Sequence, residues 1–465
     1  MTYAAFTSRT ARYLPIIILT VLGIFLRLYK IDKAFPFDHD QEVAATTALN
    51  FLEYGKLTLI GQELSFPGFF LGPLHNWIQF IPYTLCNLRP DCVPYFYTAI
   101  GILTIIILFT VLKKIFDTKI AFVGSLIYSV SFTAIGFERG VSSNFFLTLS
   151  SIGLFICLYK YFKGQNRYLL LGGAIAGLAT VNFNPIFIFS SVAFYLTSLL
   201  RKSKDLKVYI FSVFAFLINY LPLAIFNARH GNILLVGLQN FVTQNTADFG
   251  YIERLAYLTE AVVVPFYSNF LFQSTRAIFL TATIVMIILG LYSLSKSNQK
   301  FLLFAPIWMI ITLVGFVFYK GAIPDYYFLQ TLLPLIILIS ISASRSLIFL
   351  TVFLSLFLFT NLTAAQNYST IINYGIKKQA VDYITSDARG KSFNVYYDLP
   401  VGFNTGYSYL FKAKDRTPQE GGENLYIIEL KNPQEFDLKR YQSSFREKSI
   451  QVQYFGYLHV VSIKK

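Results

Sequence analysis

The chain reads as a polytopic α-helical membrane protein: about eleven transmembrane helices, a juxtamembrane first outer loop and a small external α/β C-terminal domain. Three observations carry this reading. Of 465 residues, 55% are hydrophobic and only 14% charged, with a mean hydropathy of +0.54. A soluble chain carries about 25% charged residues, so the natural solvent for the excess apolar surface is lipid. Apolar stretches of near-spanning length recur from the N-terminus to residue 360. Basic residues fall in short runs between those stretches, as topology signals do, so the net charge of +15 does not point to nucleic acid.

A helix needs roughly 20 mostly apolar residues to cross a hydrocarbon core of about 30 Å. Candidates are 11–29, 69–86, 93–112, 120–137, 141–159, 168–181, 185–200, 208–226, 277–294, 301–318, 327–341 and 347–360. The first follows Arg9 and Arg12 and lacks a small-residue cleavage site, which makes it a retained span and not a signal peptide. The positive-inside rule then tests the set. Lys113, Lys114 and Lys119, the Lys160 to Arg167 run, the Arg201 to Lys207 run, Lys296 with Lys300, and Arg345 all belong on one side with Arg9 and Arg12. They do so if 69–86, which holds Gly72, Pro73, His75, Asn76, Gln79 and Pro82, is a juxtamembrane helix instead of a span. The stretch 168–200 would be about 50 Å long as a single helix. Asn182, Asn184 and Pro185 break it and Arg167 and Arg201 flank both ends, so it reads as a hairpin of two short spans.

The side opposite the basic runs collects residues 30–92, the Glu138–Asn144 turn, residues 227–275 as a polar loop, the Tyr319–Tyr326 turn, and the tail. The membrane module ends at 363, and 364–465 forms the external domain. Residues 371–386 read there as an amphipathic helix, and 393–398, 424–430 and 450–463 as strands, the last a hairpin turning near Gly456. Three cysteines exclude a disulfide scaffold and offer no zinc spacing. Cys86 and Cys92, with Pro90 between them, are either paired or two free thiols. Asn361-Leu362-Thr363 and Asn367-Tyr368-Ser369 match glycosylation acceptors, relevant only in a eukaryotic secretory host.

Chemistry concentrates in the first outer loop, where Asp38-His39-Asp40-Gln41-Glu42 opens a helical pattern running to Gly55. Asp38 with Gln41 fits a capping box, which accounts for one carboxylate of three. The others suit a general base held near a reacting carbon. Asp38 and Asp40 with His39 also suit a hard divalent cation, so a metal-dependent enzyme stands as an alternative.

This loop resembles that of the GT-C glycosyltransferases. The resemblance runs from Asp40-Gln41-Glu42 through Gly55-Lys56-Leu57-Thr58-Leu59-Ile60-Gly61 to Pro67-Gly68 and Gly72-Pro73-Leu74-His75. It is nearest to the protein O-mannosyltransferase and ArnT-like group, glycosyltransferase family 39, in its bacterial branches. The resemblance implies a GT-C-like bundle, with Asp40 as catalytic base and Asp38 and Glu42 as rivals because the usual Asp-Glu pair is interrupted here. It extends to Glu138-Arg139 with Asn144, to Phe226-Asn227-Ala228-Arg229-His230-Gly231, and to Asp325-Tyr326-Tyr327. Arg139, Arg229 and His230 are the expected donor-phosphate ligands; His75, Asn144, Asp325 and Tyr326 are the expected substrate contacts.

The expected activity is an inverting transfer of a sugar from a polyprenyl-phosphate donor to a hydroxyl on an extracytoplasmic acceptor. No cofactor is required and a divalent cation is the open alternative; the lipid bilayer is a partner and nucleic acid is not. The expected location is the cell membrane, with the active site and the C-terminal domain on the extracytoplasmic side. A lipid or sugar transporter is the rival from another class, but transporters place charges inside their spans, and these spans are almost free of them.

Overall fold

The computed structural model describes residues 3–64, 67–202, 204–244, 250–319, 323–368, 370–432, 438–445 and 449–464. The side chains of Arg9 and Arg12, and Ser369 of the second acceptor motif, lie outside the described residues. Among the described residues, eight helices are long and apolar enough to cross a membrane, nine if the bent pair Thr118–Val130 and Phe132–Arg139 is one span. Lipid offers no partner to a peptide N–H, so stretches this rich in Ile, Val and Phe fold as helices that satisfy their own backbones. The chain is a multi-pass membrane protein.

The basic runs meet at one end of the bundle. Lys114, Lys163, Arg201, Lys202 and Lys300 line a single cavity there. Lys119 Nζ reaches the Ser344 carbonyl at 2.8 Å, and Arg345 Nε donates to Ser293 Oγ at 3.0 Å. Arg201 donates to Asn166 Oδ1 at 2.6 Å, closing the base of the hairpin formed by Arg167–Asn182 and Pro185–Ser198. Asn184 caps the turn at the hairpin's far end. The bend in the 118–139 pair is 52° and falls at Ser131, whose hydroxyl caps the second segment and donates to the Phe270 carbonyl.

Several expectations are corrected. Residues 227–275 are not simply a polar loop: they contain the helices Ile233–Gln244 and Tyr251–Phe272, the second apolar, with a π-helical stretch at Leu258–Val263. Its hydropathy is the lowest of the eight candidates, because Glu253, Arg254 and Glu260 interrupt it. Arg254 donates to the Tyr319 carbonyl at 3.0 Å, and Gln273, just past the other end, donates to Thr133 Oγ1 at 2.9 Å. Tyr319 follows the helix that starts at Lys300 and Thr133 follows the one that starts beside Lys119, so both ends of this helix lie in the half of the bundle away from the basic cavity. The spans also carry charge. Arg27, fully buried, pairs with Glu138 through two bonds of 2.5 and 2.7 Å. A Cβ on Gly101 would meet Glu138 Oε2 at 2.1 Å, so glycine is needed there. Asn361 is buried and bonded to the backbone of Phe132, Leu271 and Phe357, which removes it as a glycosylation acceptor.

The last membrane helix runs to Asn367, past the expected boundary at 363. Beyond it come the helix Tyr374–Asp387 and a four-stranded sheet of β1 (Phe393–Asp398), β2 (Asn424–Leu430), β3 (Ser449–Phe455) and β4 (Leu458–Lys464). Sheet order is β1-β2-β4-β3, with β1 parallel to β2 and the other pairs antiparallel. Short helices at Tyr407–Lys412 and Leu438–Ser444 fill connections in which no helix was expected.

Candidate active site

The first outer loop folds from its N-terminus as a capped helix, His39–Tyr54. Asp38 is the N-cap, and Gln41 completes the capping box by accepting from the Asp38 backbone at 2.9 Å. The three carboxylates then part company. Asp38 accepts from Lys377 Nζ at 2.7 Å, a buried ammonium that also donates to the carbonyls of Phe37 and Thr405. Glu42 accepts from the backbone N–H groups of Gly406 and Tyr409, at 2.7 and 2.8 Å, and so serves the N-terminus of the helix Tyr407–Lys412, where negative charge is favoured. Both rivals of Asp40 therefore anchor the C-terminal domain to the loop.

Asp40 is different. Its carboxylate accepts one hydrogen bond, from Gln62 Nε2, and is half-buried. Burial raises its pKa above the ordinary carboxylate value, and the nearby Asp38 adds to this. Gln62 and His39 act in the opposite direction. The result is a carboxylate that is more basic than usual, as a proton acceptor requires.

Gln62 is held by a short two-stranded turn. Gly61 donates to Leu71, Leu71 to Gln62, and Leu64 to Phe69, with a bridge between Glu63 and Phe70. The glycines of the Gly61 and Gly72-Pro73-Leu74 motifs are steric necessities. A Cβ on Gly61 would sit 2.4 Å from the Gly72 carbonyl, and one on Gly72 would sit 2.3 Å from Asn182 Oδ1. That oxygen also accepts from the Leu74 N–H at 3.2 Å, which seats the motif on the hairpin tip. The helix after it spans only Leu74–Leu85, too short to cross, as expected for a juxtamembrane element. Cys86 and Cys92 are disulfide-bonded and tie its end to the next span.

Leu64 and Phe69 of the same turn form one wall of an apolar cavity of about 270 Å³. Ile186, Ile188 and Leu238 form another, and the phenols of Tyr319, Tyr326 and Tyr327 a third. Ile188 and Leu238 are themselves exposed, so the cavity is open along that wall. Tyr326 lies within electrostatic reach of Asp40, and Gln62 and Leu64, two apart in extended backbone, share a face of the turn. The base candidate and the cavity thus adjoin.

The other expected site residues divide. Asn144 accepts from Asn184 Nδ2 at 2.8 Å and holds that cavity-lining amide in place. Asp325, exposed, begins the turn that carries Tyr326. Arg229 and His230 are exposed at the end of the helix Leu221–Arg229; the His230 ring stacks on Phe226, which meets Phe70 of the loop. Two expectations fail. Arg139 is buried and spends its guanidinium on the carbonyls of Leu26, Arg27 and Tyr29, closing the C-terminus of the first helix, so it is no phosphate ligand. His75 is buried at 2.6 Å from the Tyr97 hydroxyl, with burial lowering its pKa to about 3, so it is a neutral packing residue and not a substrate contact.

Two residues were not anticipated. Gln62 gave no signal, because one amide in an aperiodic loop has no pattern to stand out from. Arg254, buried, donates to the carbonyl of the cavity-lining Tyr319, and was masked by the reading of 227–275 as loop. Among the described residues no three of His, Cys, Asp and Glu converge as metal ligands, and Asp38 and Asp40 are held by different partners.

Comparison with known proteins agrees with this architecture. The family model for dolichyl-phosphate-mannose-protein mannosyltransferase matches residues 71–226. The chain superposes on ArnT from Cupriavidus metallidurans bound to undecaprenyl phosphate with a TM-score of 0.62 and 10% identity, covering 98% of each chain. It also superposes on the Archaeoglobus fulgidus oligosaccharyltransferase AglB, in complex with an inhibitory peptide and a dolichol-phosphate. There the TM-score is 0.50 and the identity 13%, over 88% of this chain and 64% of that one. No curated protein matches in sequence. The fold is ArnT-like, and with the family match it supports the resemblance to GT-C membrane glycosyltransferases.

Proposed function

We propose that the protein is an inverting glycosyltransferase that moves a sugar from a polyprenyl-phosphate donor to a hydroxyl of an extracytoplasmic acceptor. The observation that carries this is the position of Asp40. It is the member of the carboxylate cluster not committed to docking the C-terminal domain, and it adjoins an open apolar cavity. A lipid-linked donor needs such an opening, since its isoprenyl chain stays in the bilayer while its head reaches a polar group. The undecaprenyl phosphate of ArnT and the dolichol-phosphate of AglB, both on this fold, support a donor of that class.

In this mechanism Asp40 takes the proton of the acceptor hydroxyl, whose oxygen attacks the anomeric carbon from the face opposite the phosphate. The carbon–oxygen bond to phosphate breaks with its electron pair, and configuration inverts. Phosphate is a competent leaving group, so the site needs cationic stabilisation more than a general acid. Arg254, which bonds the carbonyl of the cavity-lining Tyr319, is a candidate for this role, as are Arg229 and His230, exposed at the end of Leu221–Arg229. Guanidinium suits phosphate oxygens because it donates in pairs. Tyr326, Asp325 and the Asn144-braced Asn184 supply polar contacts for the sugar. The metal-dependent alternative is weakened because Asp38 is engaged by Lys377. The transporter alternative is weakened because Arg27 and Glu138 satisfy each other.

The test is sugar transfer by purified single mutants. Asp40→Asn, nearly isosteric, should lose about 100-fold to 10,000-fold in rate, the usual cost of removing a general base. Asp38→Asn, which still caps the helix, and Glu42→Gln should lose far less. An active Asp40→Asn enzyme would sink the assignment, and three active mutants would sink the reading of this loop as a transferase site.

A further inference from the structure

At the end of the bundle opposite Asp40, four separate connections contribute cations to one cavity of about 630 Å³: Lys114, Lys163, Arg201, Lys202 and Lys300. Among the described residues no carboxylate lines it. The acids available on these connections are Asp117 and Asp205, and each accepts from the backbone as a helix N-cap. Like charges brought together without acids repel, and the arrangement is stable when an anion sits among them. The remaining lining is mixed: Ile115, Phe162, Leu200 and the buried Phe301 are apolar, and Asn298, Gln299 and Tyr159 add neutral polar groups. Leu199 and Leu200, just past the helix that ends at Ser198, and Leu303, beside Lys300 and Phe301, are exposed at the border of the cavity. Arg201 is held over the Tyr161 ring at 4.3 Å and bonded to Asn166, so its guanidinium is fixed in place.

We propose that this cavity binds the phosphate headgroup of an anionic phospholipid, with the acyl chains lying on the adjoining apolar helix faces. A basic concavity bordered by exposed leucines matches both halves of such a molecule, whereas a water-soluble phosphate would use the cations alone. The site is separate from the proposed donor cavity, and its occupancy stands or falls independently of the transfer reaction.

Native mass spectrometry of the full chain released from nanodiscs of equal phosphatidylglycerol and phosphatidylcholine tests this. The wild type should carry phosphatidylglycerol in preference. Lys114→Gln/Lys163→Gln/Lys300→Gln should lose that preference by roughly tenfold or more, given the strength of attraction per basic residue at an anionic lipid surface. Lys204→Gln/Lys207→Gln/Lys296→Gln removes the same charge outside the cavity lining and should keep it, as should the charge-preserving Lys114→Arg/Lys300→Arg. Equal loss in the control triple variant would overturn the site in favour of diffuse surface charge. Adducts of inorganic phosphate with no phosphatidylglycerol preference would overturn the lipid as its occupant.

Discussion

At the scale of single residues, the first outer loop separates three carboxylates by their partners. Asp38 and Glu42 are spent on Lys377 and on a helix N-terminus, and Asp40 alone of the three faces Gln62. The cluster was legible in the sequence because three acids in five positions exceed what one helix cap needs; the choice among them follows from contacts made more than 300 positions away. Asp40 also has a consequence for pH. Folded Asp40 keeps its proton to higher pH than the unfolded residue, so the native state binds more protons across that window. Stability therefore falls as pH rises through it, and ionised Asp40 is a liability at neutral pH. Asp40→Asn should leave the thermal midpoint at pH 7 equal to or above wild type while transfer is lost. Gln62 works against burial by stabilising the charged form. Gln62→Leu should accordingly move the acid limb of the kcat/KM profile to higher pH. A limb that stays in place or moves to lower pH would show that Gln62 does not tune the base.

At the scale of elements, the helices were legible wherever an apolar run ended in a basic cluster or a capping residue. Two features were not. Tyr251–Phe272 is long enough to cross, yet its ends bond to Tyr319 and, just beyond, Thr133, and only those contacts place both ends in the half of the bundle away from the basic cavity. Arg27 drew no expectation, and Arg139 was expected as a donor-phosphate ligand. In fact Arg27 meets Glu138 across sequence, and Arg139 closes the carbonyls that the first helix leaves open. No spacing rule links positions so far apart. Removing one member of a buried pair leaves the other uncompensated, at a cost of roughly 3–5 kcal/mol, whereas replacing both with apolar residues is often neutral. Arg27→Met should therefore lower the thermal midpoint in detergent sharply, and Arg27→Met/Glu138→Leu should recover most of the loss. A double variant as unstable as the single one would mean that the pair is not mutually compensating.

At the scale of the whole molecule, the C-terminal domain is built into the candidate site. Tyr374 donates to Phe35, Thr370 to Lys33, Lys377 to Asp38, and Tyr409 to Leu88, so the helix that presents Asp40 is held from both the bundle and the domain. Its strands were legible as short runs of aromatic and β-branched residues, and its docking was not, because one buried lysine in an amphipathic helix reads as an exposed one. The same scale decides orientation. If Tyr251–Phe272 dips and returns, the chain crosses twice between Arg201 and Lys300, through Leu206–Arg229 and Ala277–Ser295, and both basic residues lie on one side. If it crosses, they lie on opposite sides. Single cysteines in the full chain distinguish these. With a membrane-impermeant maleimide, Lys202→Cys and Asn298→Cys should both stay unlabelled in intact cells and react after permeabilisation, while Glu420→Cys in the C-terminal domain should react in intact cells. Labelling of Asn298→Cys but not Lys202→Cys in intact cells would make Tyr251–Phe272 a true span. Protection of Glu420→Cys would put Asp40, tethered to the same domain, on the side where no external acceptor could reach it.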